Sequence, residues 1–152
     1  MRYEHLVQIN DLERPDLPRL DRAQLWLGLV ARAERPQLFD ETIDEVRVIE
    51  RGSNTLEREL RRGRLTMRES VRLTPERAVE ITAGAGTSLA GSVLEMRIEE
   101  PVPDALFLRF TYELRGATVP EDESERRALR QAYYFADLDM VRHIRARVPA
   151  VV

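Results

Sequence analysis

Cysteine is absent from this 152-residue chain, which excludes thiol catalysis, disulfides and zinc–thiolate sites. Lysine is absent as well. All 24 basic residues are arginine, so neither a Schiff-base lysine nor a phosphate-loop lysine can exist here. Such a bias fits the base composition of a high-GC bacterium. Histidine occurs only at His5 and His143, near opposite ends of the sequence. That is too few for a multi-histidine metal site, and no metal or cofactor is expected. No run approaches the ~20 consecutive apolar residues of a membrane-spanning helix. Met1-Arg2-Tyr3-Glu4-His5 lacks the apolar core of a signal peptide. A cytoplasmic location without membrane insertion is therefore expected. An excess of positive charge is also missing. The formal net charge is −3, and opposite charges alternate within segments such as Glu57-Arg58-Glu59-Leu60-Arg61. A nucleic-acid binder would carry a basic stripe; mixed charge of this kind reads as solvated faces, and no nucleic-acid partner is expected.

What is present suffices for one domain over residues 1–152, with 43% apolar residues to build its core. The strongest periodic signal lies at 121–148. Leu129, Ala132, Tyr133, Ala136, Met140, Ile144 and Val148 recur at the three- and four-residue steps of one helical face. Acidic residues (Glu121, Asp122, Glu123) open this helix and Arg142, Arg145 and Arg147 close it, as the helix dipole favours. Pro149 is its expected stop. Small residues at the centre of the face, Ala132 and Ala136, leave room for something that is not protein. A second helix is signalled by Asp21 as cap, Gln24 completing a capping box, and Leu20 with Leu25 as a hydrophobic staple. Its buried stripe is Leu25, Trp26, Leu29, Val30 and Ala33, and Pro36 ends it. Gln37-Leu38-Phe39 reads as a short helical turn.

Elsewhere the period is two. Strands are expected at 3–10, 43–50, 55–61, 64–73, 78–83, 88–99 and 105–115. The breaks from residue 43 onward are short and rich in turn residues, so neighbouring strands must run antiparallel. Leu106, Leu108, Phe110 and Tyr112 oppose Arg109 and Glu113, which is the pattern of a sheet with one wet face. The long helix is the available cover for the apolar face.

Several polar residues fall on apolar faces. Glu69 shares a row with Leu65, Met67, Val71 and Leu73. A lone carboxylate there needs a partner or a proton. With a hairpin turn at Arg62-Gly63, Arg58 falls near Met67, diagonal to Glu69. A Glu69–Arg58 pair is either a polar anchor for a ligand or a structural link at the sheet rim. His5, aligned with Val7 and Ile9, is either a packed ring or a titrating hydrogen-bond partner. Tyr112 and Tyr133 are core residues or aim their hydroxyls at a ligand, while Trp26 reads as core. Asp137, one turn from Tyr133, is expected to accept a hydrogen bond from the sheet. Gly84-Ala85-Gly86-Thr87-Ser88-Leu89-Ala90-Gly91 is followed by a strand, not a helix, so its glycines suit a turn and a bulge, not a phosphate. No G-x-S-x-G is present.

Several of these segments resemble a known family. They are Glu4-His5-Leu6-Val7-Gln8-Ile9-Asn10-Asp11; Arg22-Ala23-Gln24-Leu25-Trp26-Leu27-Gly28-Leu29 with Arg32-Ala33-Glu34-Arg35-Pro36; Met96-Arg97-Ile98-Glu99-Glu100-Pro101; Leu106-Phe107-Leu108-Arg109-Phe110-Thr111-Tyr112-Glu113; and Ala132-Tyr133-Tyr134 with Ala136-Asp137-Leu138-Asp139. The family is the AtaL-like branch of the SRPBCC superfamily, which includes the START, Bet v 1 and polyketide-cyclase groups. After Phe39 the family pattern leads to an expectation of Pro-Gly, whereas this chain has Asp40-Glu41-Thr42. That loop borders the pocket mouth in the fold, so ligand access is expected to differ. The resemblance implies an α+β helix-grip fold: a seven-stranded antiparallel sheet around the long C-terminal helix, with two short helices after the first strand. It also implies a cavity for a hydrophobic small molecule. Glu69, Arg58, Met67, His5, Tyr112, Phe110, Tyr133, Ala136 and Met140 are the expected lining. The fold does not choose a reaction. The absence of a catalytic motif favours a binder of a lipid- or polyketide-like molecule without catalysis. An aromatase/cyclase-type enzyme using the polar cavity residues is the alternative, and an interaction protein with a filled interior is a third reading.

Overall fold

Seven antiparallel strands form one sheet in the order β1-β7-β6-β5-β4-β3-β2 in the computed structural model, which describes residues 1–116 and 118–147. The chain runs β1 (Arg2–Gln8), α1 (Arg22–Glu34), a 3-10 turn (Pro36–Leu38), β2 (Glu45–Arg51), β3 (Thr55–Arg62), β4 (Leu65–Thr74), β5 (Ala78–Ala83), β6 (Val93–Glu99), β7 (Phe107–Glu113) and α2 (Glu123–Arg147). The fold is the helix grip, with α2 against the apolar face of the sheet. Among the described residues, no helix is long and apolar enough to cross a membrane.

Alternation decides which face each strand buries. Leu56, Leu60, Val71, Val79, Ile81, Met96, Ile98, Leu108, Phe110 and Tyr112 form the concave core. The convex face carries a charge ladder: Arg109 donates to Glu99 at 2.8 Å and to Glu4 at 3.2 Å, linking β6, β7 and β1. The capping box at α1 is complete. Asp21 accepts from the Gln24 amide at 2.7 Å, and the Gln24 side chain accepts from the Asp21 amide at 2.8 Å. Helix α1 crosses α2 at Gly28, where a Cβ would lie 2.4 Å from Ile144 Cγ2. Only glycine allows that approach.

Three expectations need correction. The β3–β4 turn is Gly63-Arg64, since Arg62 pairs with Leu65 and Gly63 has φ +60°. Two-residue hairpins favour such a residue. Arg58 is therefore directly opposite Glu69, and Met67 is opposite Leu60. Strand β6 starts at Val93, not at residue 88, because residues 88–92 belong to a turn in which the Ser92 amide bonds the Leu89 carbonyl. Along α2 the buried positions are Asp137, Met140, Val141 and Ile144, whereas Ala132 and Ala136 are exposed. The packed stripe is rotated relative to the face read from the sequence. Val148 and Pro149 lie outside the described residues.

Arginines fasten α2 at its end. Arg145 donates to the Ile9 and Pro18 carbonyls, and Arg147 to the Leu38 carbonyl at 2.8 Å while its guanidinium covers the Phe39 ring. These bonds fix the helix over the chain that leaves β1.

Candidate functional site

Between α2 and the sheet lies a cavity of about 600 Å³. Ile81, Leu94 and Met96 from β5 and β6 make its apolar wall, with Met140 from α2. Arg32, Tyr112, Tyr133 and Asp137 add polar groups, and exposed Glu41, Ala136, Asp139 and His143 mark the mouth. A second lobe of about 160 Å³ adjoins it and adds Arg58, Glu69 and Leu114. The two lobes share Arg32, Arg62, Ile81, Leu94, Tyr112 and Tyr133.

Of the residues expected to line a cavity, Tyr112, Tyr133, Ala136 and Met140 border the larger lobe. Arg58 and Glu69 border the smaller one, together with Tyr112 and Tyr133. Ala136 sits at the mouth, not at the centre. Met67, His5 and Phe110 line neither lobe. Phe110 is fully buried and stacks on His5 with ring centroids 5.2 Å apart, so both rings pack behind the wall.

The Arg58–Glu69 pair forms, in a particular geometry. Arg58 Nε and Nη2 donate to the same oxygen, Glu69 Oε1, at 3.0 and 2.7 Å. Arg58 Nη1 donates to the Ala33 carbonyl near the end of α1. Each of the three guanidinium nitrogens thus has a partner within the protein, and one supplies a donor to a carbonyl that a helix C-terminus leaves open. Glu69 Oε2 carries no hydrogen bond among the described residues.

Asp137 is the centre of a second polar group. The Tyr112 hydroxyl donates to its two oxygens at 2.9 and 2.7 Å, and His5 Nε2 lies 2.7 Å from Oδ2. The histidine contact lacks hydrogen-bond alignment. Burial pushes Asp137 up to about 7, with the Tyr112 hydrogen bond and the charge of Arg32 pulling the other way. Burial lowers the His5 pKa. It raises that of Tyr112, and the Asp137 charge adds to the effect. A carboxyl that titrates near neutrality inside a cavity wall can hold or release a proton there. Tyr3 stacks on Tyr112 with centroids 4.9 Å apart, and its buried hydroxyl has no partner.

The mouth is braced where the loop departs from the expected Pro-Gly. Asp40 accepts from the Thr42 amide and hydroxyl at 2.9 and 2.6 Å and from Arg62 at 3.0 Å. Burial opposes its charge, but the bonds from Thr42 and Arg62 outweigh it and hold the carboxyl below its usual range.

Arg32 and Tyr3 escaped the sequence reading. Arg32 had a signal, because it falls seven residues after Leu25 and three after Leu29, inside the apolar stripe of α1.

The family model described as acetylaranotin biosynthesis cluster protein L, AtaL, matches residues 7–150. The chain belongs to the AtaL family. Among curated proteins none matches it significantly. This AtaL-family chain is similar in structure to the Zhui aromatase/cyclase from Streptomyces sp. R1128, with TM-score 0.70, 16% identity and coverage of 99% of this chain and 96% of that one. It is also similar to Ara h 8.0201, with TM-score 0.65, 10% identity and coverage of 97% and 99%. The di-domain aromatase/cyclase StfQ of the steffimycin biosynthetic pathway matches with TM-score 0.70 and 11% identity, over 95% of this chain and 50% of that one. At such identities the likeness establishes the fold alone.

Proposed function

We propose that this protein binds a hydrophobic small molecule, lipid- or polyketide-like, between its sheet and α2, without converting it. The observation that carries this reading is the cavity of about 600 Å³, which falls within the range of small-molecule sites, with an apolar wall of Ile81, Leu94, Met96 and Met140 facing a polar one. The same volume weighs against an interior filled by its own side chains. Two measurements test the reading: native mass spectrometry of the purified protein for a retained lipid or polyketide, and titration with the neutral dye Nile red. Retained ligand, or saturable dye binding that Ala136→Trp blocks while the melt is kept, supports it. A folded Ala136→Trp variant with unchanged dye affinity removes the mouth from the reading.

One observation favours a second reading, an aromatase/cyclase-type enzyme. Asp137, held near 7 beside Tyr112, has the proton affinity a general acid or base needs at neutral pH. Zhui and StfQ, both structurally similar to this chain, are aromatase/cyclases. Incubation with a linear poly-β-ketone analogue separates the readings. Binding without conversion supports the carrier, whereas cyclisation that Asp137→Asn abolishes supports the enzyme.

A further inference from the structure

Arginines crowd the junction of the two lobes, and their compensation is uneven. Arg58 is held by Glu69 and the Ala33 carbonyl. Arg62 donates to Asp40 at 3.0 Å and to the Thr42 hydroxyl at 3.1 Å. Arg32 lines both lobes, yet none of the described residues gives it a hydrogen bond or an ion pair. Its Nη1 is buried without a partner. A guanidinium nitrogen shut away from water without an acceptor is costly, and such orphans call for an explanation. The carboxylates around it have other partners: Glu69 Oε1 with Arg58, Asp40 with Arg62, Asp137 with the Tyr112 hydroxyl; the unbonded Glu69 Oε2 makes no ion pair with Arg32. Burial, then the charge of Arg58, push Arg32 down to about 10, so it remains cationic at neutral pH.

We propose that the ligand is an amphiphilic carboxylic acid whose apolar body lies along Ile81, Leu94, Met96 and Met140 and whose carboxylate is the counter-ion of Arg32. This inference rests on the cavity-binding reading above. The balance of charge selects the class. At the junction of the lobes Arg58 is paired with Glu69 and Arg62 with Asp40, which leaves Arg32 as the guanidinium there without a partner among the described residues, while Asp137 in the wall and Glu41 and Asp139 at the mouth disfavour more than one added negative charge. A phosphate dianion would put surplus negative charge beside Glu69 and Asp137. The planar guanidinium also matches a planar carboxylate.

The test is displacement of Nile red at neutral pH by dodecanoate, dodecanol and dodecyl phosphate, with wild type, Arg32→Met and Arg32→Lys. Dodecanoate is expected to bind wild type about tenfold or more tighter than dodecanol, the scale of one charge-assisted hydrogen bond. Arg32→Met should abolish that preference, bringing the acid-to-alcohol affinity ratio to about one whatever the affinity for dodecanol, and Arg32→Lys should retain part of it. Equal affinity for acid and alcohol in wild type overturns the inference and leaves the cavity reading standing. A preference that survives Arg32→Met overturns it too, as does dodecyl phosphate binding more tightly than dodecanoate. If Nile red itself fails to bind and no amphiphile is bound, the cavity reading falls and this inference with it. A carbon-13 carboxyl label on dodecanoate gives a readout in wild type alone, independent of whether the variants fold. The bound acid should titrate below its free value; titration at or above that value overturns the assignment.

Discussion

Arg58 joins three elements through one guanidinium: its own strand β3, Glu69 on β4 and the Ala33 carbonyl of α1. Glu69→Gln leaves that buried cation without its counter-charge and should destabilise the fold by about 2 kcal/mol, as loss of a hydrogen bond to a charged group does. Arg58→Met should cost less than Arg58→Ala, since the long apolar side chain fills the space. Chemical denaturation measures all three. A Glu69→Gln variant with wild-type stability and weakened dye binding would instead make the pair a ligand anchor. Asp137 carries the pH prediction. Its folded pKa of about 7 lies above the ordinary 3.8, so the folded state holds this proton more tightly than the unfolded chain. The stability it supplies is full below pH 3.8 and is lost as pH rises through about 7. Wild type should therefore lose stability relative to Asp137→Asn across that window in paired thermal melts. His5 titrates in the opposite sense, its lowered pKa removing stability as pH falls through its ordinary 6.5. Tyr3, Tyr112, Tyr133 and Arg32 surround the carboxyl but keep their charge state across the window. A difference between wild type and variant that does not change with pH would remove Asp137 as the source. Glu69 and Arg58 were legible as a pair because strand alternation put both on the apolar face. Their register was misread because the turn falls one residue later than the Arg62-Gly63 dipeptide suggests. Arg32, although inside the apolar stripe, was not legible as a cavity residue because a long charged side chain ordinarily carries its head out to water.

At the scale of elements, the two helices meet through one missing side chain. Gly28→Ala gains about 1 kcal/mol of helix propensity but drives a methyl against Ile144, which is fully buried. Overpacking of that kind costs about 1–3 kcal/mol, so the variant should be less stable on balance. In an Ile144→Ala background the clash is gone, and the same change should become neutral or stabilising. A double-mutant cycle reads the difference directly; additivity would show that the helices do not pack at this point. Hairpin strands were legible because each has a clean period of two. The start of β6 was not, since residues 88–92 carry no pattern that separates a turn from an extended lead-in. On α2 the face was legible only to within one position: Asp137 is polar and Ala136 apolar, and tertiary packing reversed their order of burial.

For the whole molecule, α2 is the cover without which the concave face is wet. Met140, Val141 and Ile144 are buried, and each contributes about 1.5–3 kcal/mol. Their sum takes up much of the ~5–15 kcal/mol that holds an ordinary domain together. Deleting the chain from Ala136 onward should expose the β7 face and abolish cooperative unfolding. A truncated protein that melted cooperatively near the wild-type temperature would refute the arrangement. The architecture was readable because element order, short breaks and one long amphipathic helix leave few ways to cover a sheet. The shape of the cavity was not, because volume depends on rotamers and on helix rotation by a fraction of a turn.

Among the described residues β1 pairs with β7 alone, Arg2 facing Glu113 across most of the sequence that precedes α2. The sheet therefore cannot gain its last ladder until that large loop closes, and α2, which follows β7, has no complete surface to dock on before then. The other five ladders join strands adjacent in sequence, so this one closure carries the largest loop entropy and is the pairing expected to form late. The β2–β6 meander can assemble early from near neighbours, with its apolar face open to water. In a living cell this places the period of greatest aggregation risk between synthesis of β6 and docking of α2, when a chaperone would find its natural substrate.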